Sequence, residues 1–441
     1  MTTFLSTLNI IRRWTYRYGL ALSLFAVLFI AFVPRSSVLI CDKWQAIAWE
    51  VSPHQFDYIG WELNAIAAKA DQLLFGQQAY MDEAQRSQFV RDYMTDLGQV
   101  QQLEGQITAI YTDPSITDPI AASAELVTQR DALRADLAKR QSTAEAILEG
   151  QVAAILVEQG FGQLGQLVPP MSMRFSQVPM LLITSPRDEI RLETSINLYP
   201  LPIDEITSIE AQLDQRYDVS SLIVPLGGIA LYPAMIMETT SIRWITETFA
   251  HEWLHQYLLA FPLGLYYFTD SNGLAGDART INETTCDLFG KELGRLVLER
   301  YYPELVPPPA PPASEQAQTE PVEPDPNAFD FGATMHTTRT HVDALLAAGD
   351  VAAAEQFMEQ QRQVFYENGY AIRKINQAYF AFYGGYQAGG VPGIAGEDPI
   401  GPAIYAVRDQ SHNLHDFIVT MRTITNQEQL LNQVGQLDAP E

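Results

Sequence analysis

Cysteine is scarce in this chain, with only Cys41 and Cys286 among its 441 residues. Two thiols cannot build a disulfide framework, although a protein that needs no disulfides can still be exported. Stability must then come from apolar burial, and hydrophobic residues make up 47% of the sequence. That content is enough for a large core divided among two or three structural units.

Basic residues are also few. The chain has 27 Lys and Arg against 53 Asp and Glu, which gives a formal net charge of −26 at pH 7. A nucleic-acid-binding protein needs a basic face to neutralise the phosphates. The charge balance therefore argues against nucleic acid as a partner, and otherwise it favours solubility.

One long apolar run occurs near the N-terminus. Residues 19–33 read GLALSLFAVLFIAFV, and three arginines precede them. Aromatic residues before the run can extend it to the length of a membrane span, and no small-x-small cleavage site follows it. We therefore favour an uncleaved transmembrane anchor over residues 19–40 rather than a cleaved signal peptide. Because the positive charges precede the span, we expect residues 1–18 in the cytoplasm and the remaining chain extracytoplasmic, as in a single-pass protein of the cell membrane.

Residues 55–165 predict a helical hairpin. Apolar residues recur every three or four positions from Phe89 to Ile110, and the same periodicity resumes from Leu126 to Ile155. Two Asp-Pro pairs interrupt the pattern between these stretches, which favours an antiparallel pair of helices. Such a hairpin can be a stalk, a lid over a cleft, an element of self-association, or a scaffold that packs on the next domain.

Residues 170–441 are assigned to one domain in which short strands precede several helices. Strands are expected at three places: 180–183, 191–198 and 221–224. A helix is expected between the last two strands. The chain as a whole is therefore predicted to be α+β and mostly α, with a small sheet.

A proline-rich segment interrupts this domain. Residues 306–332 contain eight prolines and no lysine or arginine, which predicts a disordered insertion. Helical structure is expected to resume by Val342. Two later stretches also have helical periodicity: 352–377 and 413–434.

The strongest chemical signal is His251-Glu252-Trp253-Leu254-His255. Apolar residues at helical spacing surround this motif, and a proline and a glycine follow it, which predicts an amphipathic helix. Residues four apart share one helix face, so His251 and His255 can each direct a ring nitrogen at a single zinc ion. Glu252 lies at the edge of that face, where it can accept a proton from an attacking water.

A second predicted helix, from Glu283 to Leu298, adds acidic residues to the same site. Glu283 and Asp287 are four residues apart and share one face. A hydrolytic zinc site uses three protein ligands, and Glu283 supplies the third. Asp287 lies one turn further on, where a carboxylate can fix the tautomer of a ligand histidine. Cys286 is interpreted as a small buried residue of this helix.

The motif HExxH followed by N-E-x-x-x-D resembles the gluzincin branch of zinc metallopeptidases, over roughly residues 220–300. The resemblance implies a zincin-like catalytic domain with one zinc ion per chain. It implies three ligands for that ion: His251, His255 and Glu283. It further implies Glu252 as the general base and Asp287 as the residue that orients a ligand histidine.

The residue that stabilises the oxyanion is harder to assign. Thermolysin-like enzymes carry a tyrosine nine residues before the glutamate ligand, and this chain has Leu274 there. The segment 376–386 is similar to a C-terminal segment of some bacterial gluzincin-type aminopeptidases, which puts Tyr386 in register with a site tyrosine. Tyr386 is our first choice as oxyanion donor, followed by Tyr383 and His412. The alternative is an aromatic helix face that packs in the core.

The substrate cleft is expected between the segment 227–233 and the turn of helix that carries both histidines. In the family that the chain resembles, an edge strand before the HExxH helix binds an extended substrate backbone by strand addition. Gly227 and Gly228 are therefore candidate substrate-binding residues. The alternative is a plain core strand whose glycines permit a turn.

These inferences together predict a membrane-anchored zinc peptidase that hydrolyses a peptide or protein substrate outside the membrane. Two other hypotheses stay open from the sequence. One is a zinc hydrolase that acts on a non-peptide amide or an ester. The other is a non-catalytic, membrane-tethered scaffold with a structural zinc site.

Overall fold

The computed structural model describes residues 42–112, 118–269, 276–306, 329–387 and 391–437, together with Gly19 and Ser23. The chain divides into two compact units, Met1–Glu50 and Val51–Glu441. In the first unit the structure describes one helix, α1 (Lys43–Glu50).

Two sequence predictions fall largely outside this description. Apart from Gly19 and Ser23, the predicted anchor at 19–40 and the segment 1–18 lie outside the described residues. Residues 307–328 of the proline-rich segment also lie outside the described residues. Within the described ranges, no helix combines the length and the apolar character that a membrane crossing requires.

Three helices open the second unit: α2 (Tyr58–Phe75), α3 (Glu83–Thr112) and α4 (Pro119–Leu156). Asp118 begins α4 by accepting a hydrogen bond from the backbone N of Ala121, and Pro119 occupies the first helical position, where its missing N–H costs nothing. The predicted pair of long helices is present, because α3 and α4 pack along each other. Their apolar side chains, such as Tyr93 and Leu148, share one hydrophobic core with Trp253 of the HExxH motif. The hairpin therefore packs as a scaffold on the rest of the unit.

Six strands and one helix follow: β1 (Met173–Ser176), β2 (Met180–Pro186), β3 (Thr194–Leu198), α5 (Ile203–Tyr217), β4 (Val219–Pro225), β5 (Gly228–Ile229) and β6 (Ala234–Met237). They form two three-stranded sheets rather than one. The first has the order β3-β2-β4 and is antiparallel throughout. The second has the order β1-β6-β5, with β1 parallel and β5 antiparallel to β6. The strand expected at 191–198 begins only at Thr194.

The two motif helices come next, joined by a short one: α6 (Ile242–Leu258), α7 (Pro262–Thr269) and α8 (Gly276–Tyr301). Ser241 begins α6 by accepting a hydrogen bond from the backbone N of Trp244. The second motif helix was expected to begin at Glu283, but α8 begins seven residues earlier, at Gly276. Glu283 therefore lies inside a helix and not at its first turn.

Six helices complete the unit: α9 (Phe331–Ala347), α10 (Val351–Glu367), α11 (Gln377–Tyr383), α12 (Ile400–Gln410), α13 (Leu414–Met421) and α14 (Gln427–Leu437). The periodicity expected at 352–377 is interrupted, because α10 ends at Glu367 and Gly369 follows in a left-handed conformation with φ of +90°. The stretch 413–434 likewise contains two helices. The fold is α+β and mostly helical, as predicted.

A buried ion network connects α2 to α4 and to the first strand. Lys69 Nζ donates to Glu145 Oε2 at 2.9 Å and to Glu149 Oε1 at 2.8 Å. The same carboxylates accept from the backbone, Glu149 from Met173 N at 2.7 Å and Glu145 from Phe175 N at 2.9 Å. Both glutamates are buried, so the ammonium of Lys69 stabilises two buried carboxyl groups, and Arg174 Nη1 lies 3.5 Å from Glu145 Oε2 as a second positive charge.

Replacement of Lys69 by alanine is expected to lower the free energy of unfolding by about 3 kcal/mol, because it leaves buried Glu149 without its cation and Glu145 with only the longer contact to Arg174. Urea denaturation followed by circular dichroism measures this change. Lys139→Ala, on an exposed position of α4, is the matched control and is expected to change stability by less than about 0.5 kcal/mol. Equal stabilities of the two variants would contradict this role of the network.

Candidate metal centre

The site is built where α6 and α8 cross closely. Two glycines of α8 permit this approach. A Cβ atom on Gly290 would lie 2.5 Å from the backbone O of Glu247, and one on Gly294 would lie 3.0 Å from the backbone N of the same residue. Because backbone atoms cannot move aside as a side chain can, larger residues at these positions would force the helices apart.

Three ligand atoms converge at this crossing, from buried His255 and Glu283 and from partly buried His251. His251 Nε2 and His255 Nε2 lie 2.9 Å apart, and each lies 3.4 Å from Glu283 Oε2. Ligands placed about 2.1 Å from a tetrahedral zinc ion lie about 3.4 Å from one another, so the two nitrogen–oxygen separations fit such an ion. Two imidazoles and one carboxylate are also a donor set of catalytic zinc sites. The three residues could hold a metal ion.

Glu283 is ionised in this environment. Burial acts to raise the pKa of its carboxyl group, but His255, His251 and the guanidinium of Arg279 outweigh burial and hold that pKa well below its usual value. Arg279 Nη2 lies 3.9 Å from Glu283 Oε1. A carboxylate that stays charged when buried is suited to hold a cation.

Tyr267 of α7 holds the other oxygen of this carboxylate. Its hydroxyl donates to Glu283 Oε1 at 2.6 Å, which leaves Oε2 for the two histidines. Its ring also stacks on the ring of His255, with centroids 5.1 Å apart and planes inclined by 14°. Burial and the nearby Glu283 raise the pKa of Tyr267 far above its usual value, so the phenol remains a hydrogen-bond donor. The sequence motifs did not identify Tyr267. The only feature of the sequence that could have indicated it is its place in a pair of adjacent aromatic residues, 16 residues before Glu283.

Cys286 occupies the position expected for a carboxylate behind His255. Its Sγ lies 3.5 Å from His255 Nδ1 and 3.6 Å from Asn282 Oδ1. Burial raises the pKa of the thiol well above its usual value, so the thiol is neutral and donates to the Asn282 amide oxygen. His255 Nδ1–H can then donate to the sulfur, which leaves Nε2 as the atom free to bind an ion.

The structure does not bring Asp287 to a ligand histidine, contrary to expectation. Its Oδ2 accepts a hydrogen bond from Lys291 Nζ at 3.0 Å, on the more exposed side of α8. The rotation of α8 about its axis is the reason, because it turns Cys286 rather than Asp287 towards the ring of His255.

Glu252 lies beside the three ligands and is buried. Burial is the largest effect on its carboxyl group, and together with the negative charge of Glu283 it raises the pKa of Glu252 to about 7, although His255 opposes this shift. A Cβ atom on Gly228 would lie 2.6 Å from Glu252 Oε1. A larger residue at this position of β5 would therefore displace the carboxylate of Glu252.

The two candidate substrate-binding glycines differ in position. Gly228 lines a cavity of about 650 Å³ that also contains His251, Glu252 and Glu283. Gly227 packs against the indole ring of Trp244, and the part of this segment that lines the cavity begins at Gly228. The structure therefore does not place Gly227 in the cavity, because the Trp244 ring occupies the space beside it.

Tyr386, the first choice as oxyanion donor, lines the same cavity. Its segment is attached to α8, because the hydroxyl of Thr284 donates to the backbone O of Gly385 at 3.3 Å and accepts from Gln387 N at 3.2 Å. Burial and the charge of Glu283 raise the pKa of Tyr386 well above its usual value, so its hydroxyl is a neutral donor.

The two other candidates for the oxyanion donor, Tyr383 and His412, do not line the cavity. Tyr383 packs against neighbouring aromatic rings and His412 is exposed.

Arg279 is a further residue of the site that the sequence did not identify. Its guanidinium carbon lies 5.9 Å from the ring centroid of Tyr386 and 5.8 Å from that of Phe382. A Cβ atom on Gly385 would lie 2.7 Å from Arg279 Nη1, so this glycine leaves room for the guanidinium. A buried positive charge is thus held between Glu283 and Tyr386. Nothing in the HExxH or NExxxD pattern specifies it.

No protein-family model, curated protein or solved structure matches this chain. Its class is therefore defined by its own fold and site. It is a mostly helical α+β protein with a buried cluster of two histidines and one glutamate that could hold a metal ion.

We predict that Tyr267→Phe lowers the affinity for zinc by about tenfold, because Glu283 loses the donor that orients its carboxylate while the ring stacking persists. Competition with a chromophoric chelator measures this affinity. Tyr266→Phe is the matched control, since its neighbouring ring is 56% exposed, and it should bind zinc as the parent chain does. Unchanged affinity in Tyr267→Phe would show that the hydrogen bond does not position the ligand.

Proposed function

We propose that this chain is a zinc-dependent peptidase of the gluzincin type, with one zinc ion per chain held by His251, His255 and Glu283. One observation carries the proposal. Glu252, a buried carboxyl group outside the ligand set, lies in the same cavity with a pKa raised to about 7. A structural metal site needs no such group, whereas a hydrolase needs a base whose pKa is close to the working pH.

The reaction is a hydrolysis, so a water molecule must be activated and an amine must leave. When bound, zinc supplies Lewis acidity and lowers the pKa of water towards neutrality. Glu252 accepts the proton of the attacking water and then delivers it to the nitrogen of the departing amine. Its raised pKa suits both steps, because the group must first accept a proton and then release it.

Tyr386 is the proposed donor to the oxyanion. Its hydroxyl is neutral and Tyr386 lines the same cavity as Glu252. A donor held in place before the reaction stabilises developing negative charge without reorganisation. Arg279 supports this role as a positioning residue, because its charge is close to the Tyr386 ring and Gly385 leaves it the space to be there.

An extended peptide is the proposed substrate. The strand β5 is at one end of the order β1-β6-β5, so among the described strands only β6 pairs with it. Gly228 and Ile229 of β5 line the cavity next to Glu252. The main chain of a peptide can therefore add to this edge, which brings a scissile carbonyl towards the base.

The apolar run at residues 19–33 supports a location at the cell membrane, with the catalytic unit extracytoplasmic. The arginines before the run favour a cytoplasmic N-terminus. We include this location in the proposal, and the hydrolytic mechanism does not depend on it.

Glu252→Gln is expected to reduce kcat/KM for peptide hydrolysis by about 10²- to 10⁴-fold, because the amide cannot accept the proton of the attacking water. The variant should still bind about one zinc per chain, since none of the three ligands is changed. Peptide-library hydrolysis and metal analysis on the same preparation measure both quantities. Glu299→Gln, at an exposed position of α8, is the control and should leave both unchanged. Parental peptidase activity in Glu252→Gln would refute the mechanism.

A further inference from the structure

The helix α2 has an unusual distribution of polar and apolar residues. Ten of its residues are exposed, and only Asn64 and Asp71 among them are polar. The large apolar side chains among the other eight define the α2 apolar face: Ile59, Leu63, Ile66, Leu73, Leu74 and Phe75. Leu73 is 86% exposed and Ile59 is 76% exposed. An apolar helix face normally turns towards the core, so this surface requires an explanation.

The polar side of α2 is the one that contacts the protein. Trp61 Nε1 donates to Ser176 Oγ at 2.9 Å, Lys69 binds the two buried glutamates of α4, and Gln72 Nε2 donates to Glu149 Oε2 at 2.8 Å. Rotation of α2 to bury its apolar face would break all of these contacts. The helix is therefore fixed with its apolar side outward.

We propose that the α2 apolar face rests on the surface of a lipid bilayer, as a second membrane contact beside the anchor. The apolar run of the sequence ends at Val33, and Ile59 follows only 26 positions later. An anchored chain would hold the α2 apolar face near the bilayer at a high effective concentration, so a modest apolar contact suffices. Trp44 and Trp49, two residues that favour the membrane interface, lie between these positions and are 48% and 63% exposed.

Charge favours a bilayer over a second copy of the chain. Each chain carries a formal net charge of −26, so two copies would repel each other on contact. The exposed residues of α2 include no lysine or arginine. The contact is therefore apolar rather than electrostatic, and zwitterionic lipid should be enough to form it.

The test uses the full chain with Cys41→Ser, reconstituted in phosphatidylcholine vesicles and labelled with an environment-sensitive dye at Leu73→Cys. Cys286 is buried and stays unlabelled. The matched control carries the dye at Gln360→Cys, an exposed position of α10. We expect the emission at position 73 to shift to shorter wavelength and to lose intensity when the lipid carries a quencher, with neither change at position 360. Ile66→Cys gives the same readout if Leu73→Cys fails to fold.

Four results would overturn the proposal. The first is a chain that does not associate with the vesicles. The second is a label at positions 66 and 73 that remains as exposed to water as the control. The third is shielding that grows with the protein-to-lipid ratio and comes with energy transfer between labelled copies, because a second copy then covers the face. The fourth is shielding without lipid quenching or energy transfer, because other residues of this chain then cover it. The measurement involves no hydrolysis, so its failure would leave the proposed activity standing.

Discussion

The site depends above all on the close approach of α6 and α8. Gly290 and Gly294 bring α8 against the backbone of Glu247, one turn before His251. This contact sets the distance from which Glu283 reaches both imidazoles. If α6 and α8 were further apart, the two histidines of one helix and the glutamate of the other could not bind the same ion.

The groups around the three ligands follow from that crossing. Because the ligands are largely buried, the polar atoms near them need partners, and these partners come from α7 and from α8 itself. Tyr267 of α7 holds one oxygen of Glu283, Cys286 lies behind His255, and Arg279 lies between Glu283 and Tyr386. Burial acts to raise the pKa of both carboxyl groups, but the two histidines and Arg279 outweigh it at Glu283. At Glu252 only His255 opposes burial, so the pKa of Glu252 stays raised. Two carboxyl groups in one cavity thereby acquire different proton affinities, as a ligand and a base require.

Spacing within a helix could be predicted from the sequence, and spacing between helices could not. The i, i+4 relation placed His251 and His255 on one face, and periodicity predicted the long hairpin helices, α5 and the strand at 180–183. The rotation of α8 against α6 depends on how Gly290 and Gly294 pack, so Asp287 was expected where Cys286 lies. Tyr267 and Arg279 escaped prediction because each reaches the site from outside the two motifs. Gly227 was expected in the cleft because the sequence does not show that the Trp244 ring packs against it.

The central claim is that His251, His255 and Glu283 bind one metal ion. Anomalous diffraction from crystals of the full chain, collected on both sides of the zinc absorption edge, tests it most directly. The account predicts a single zinc peak about 2.0–2.2 Å from the Nε2 atoms of both histidines and from Oε2 of Glu283. A zinc peak elsewhere in the chain, or two imidazoles hydrogen-bonded directly to each other in zinc-saturated crystals, would contradict it.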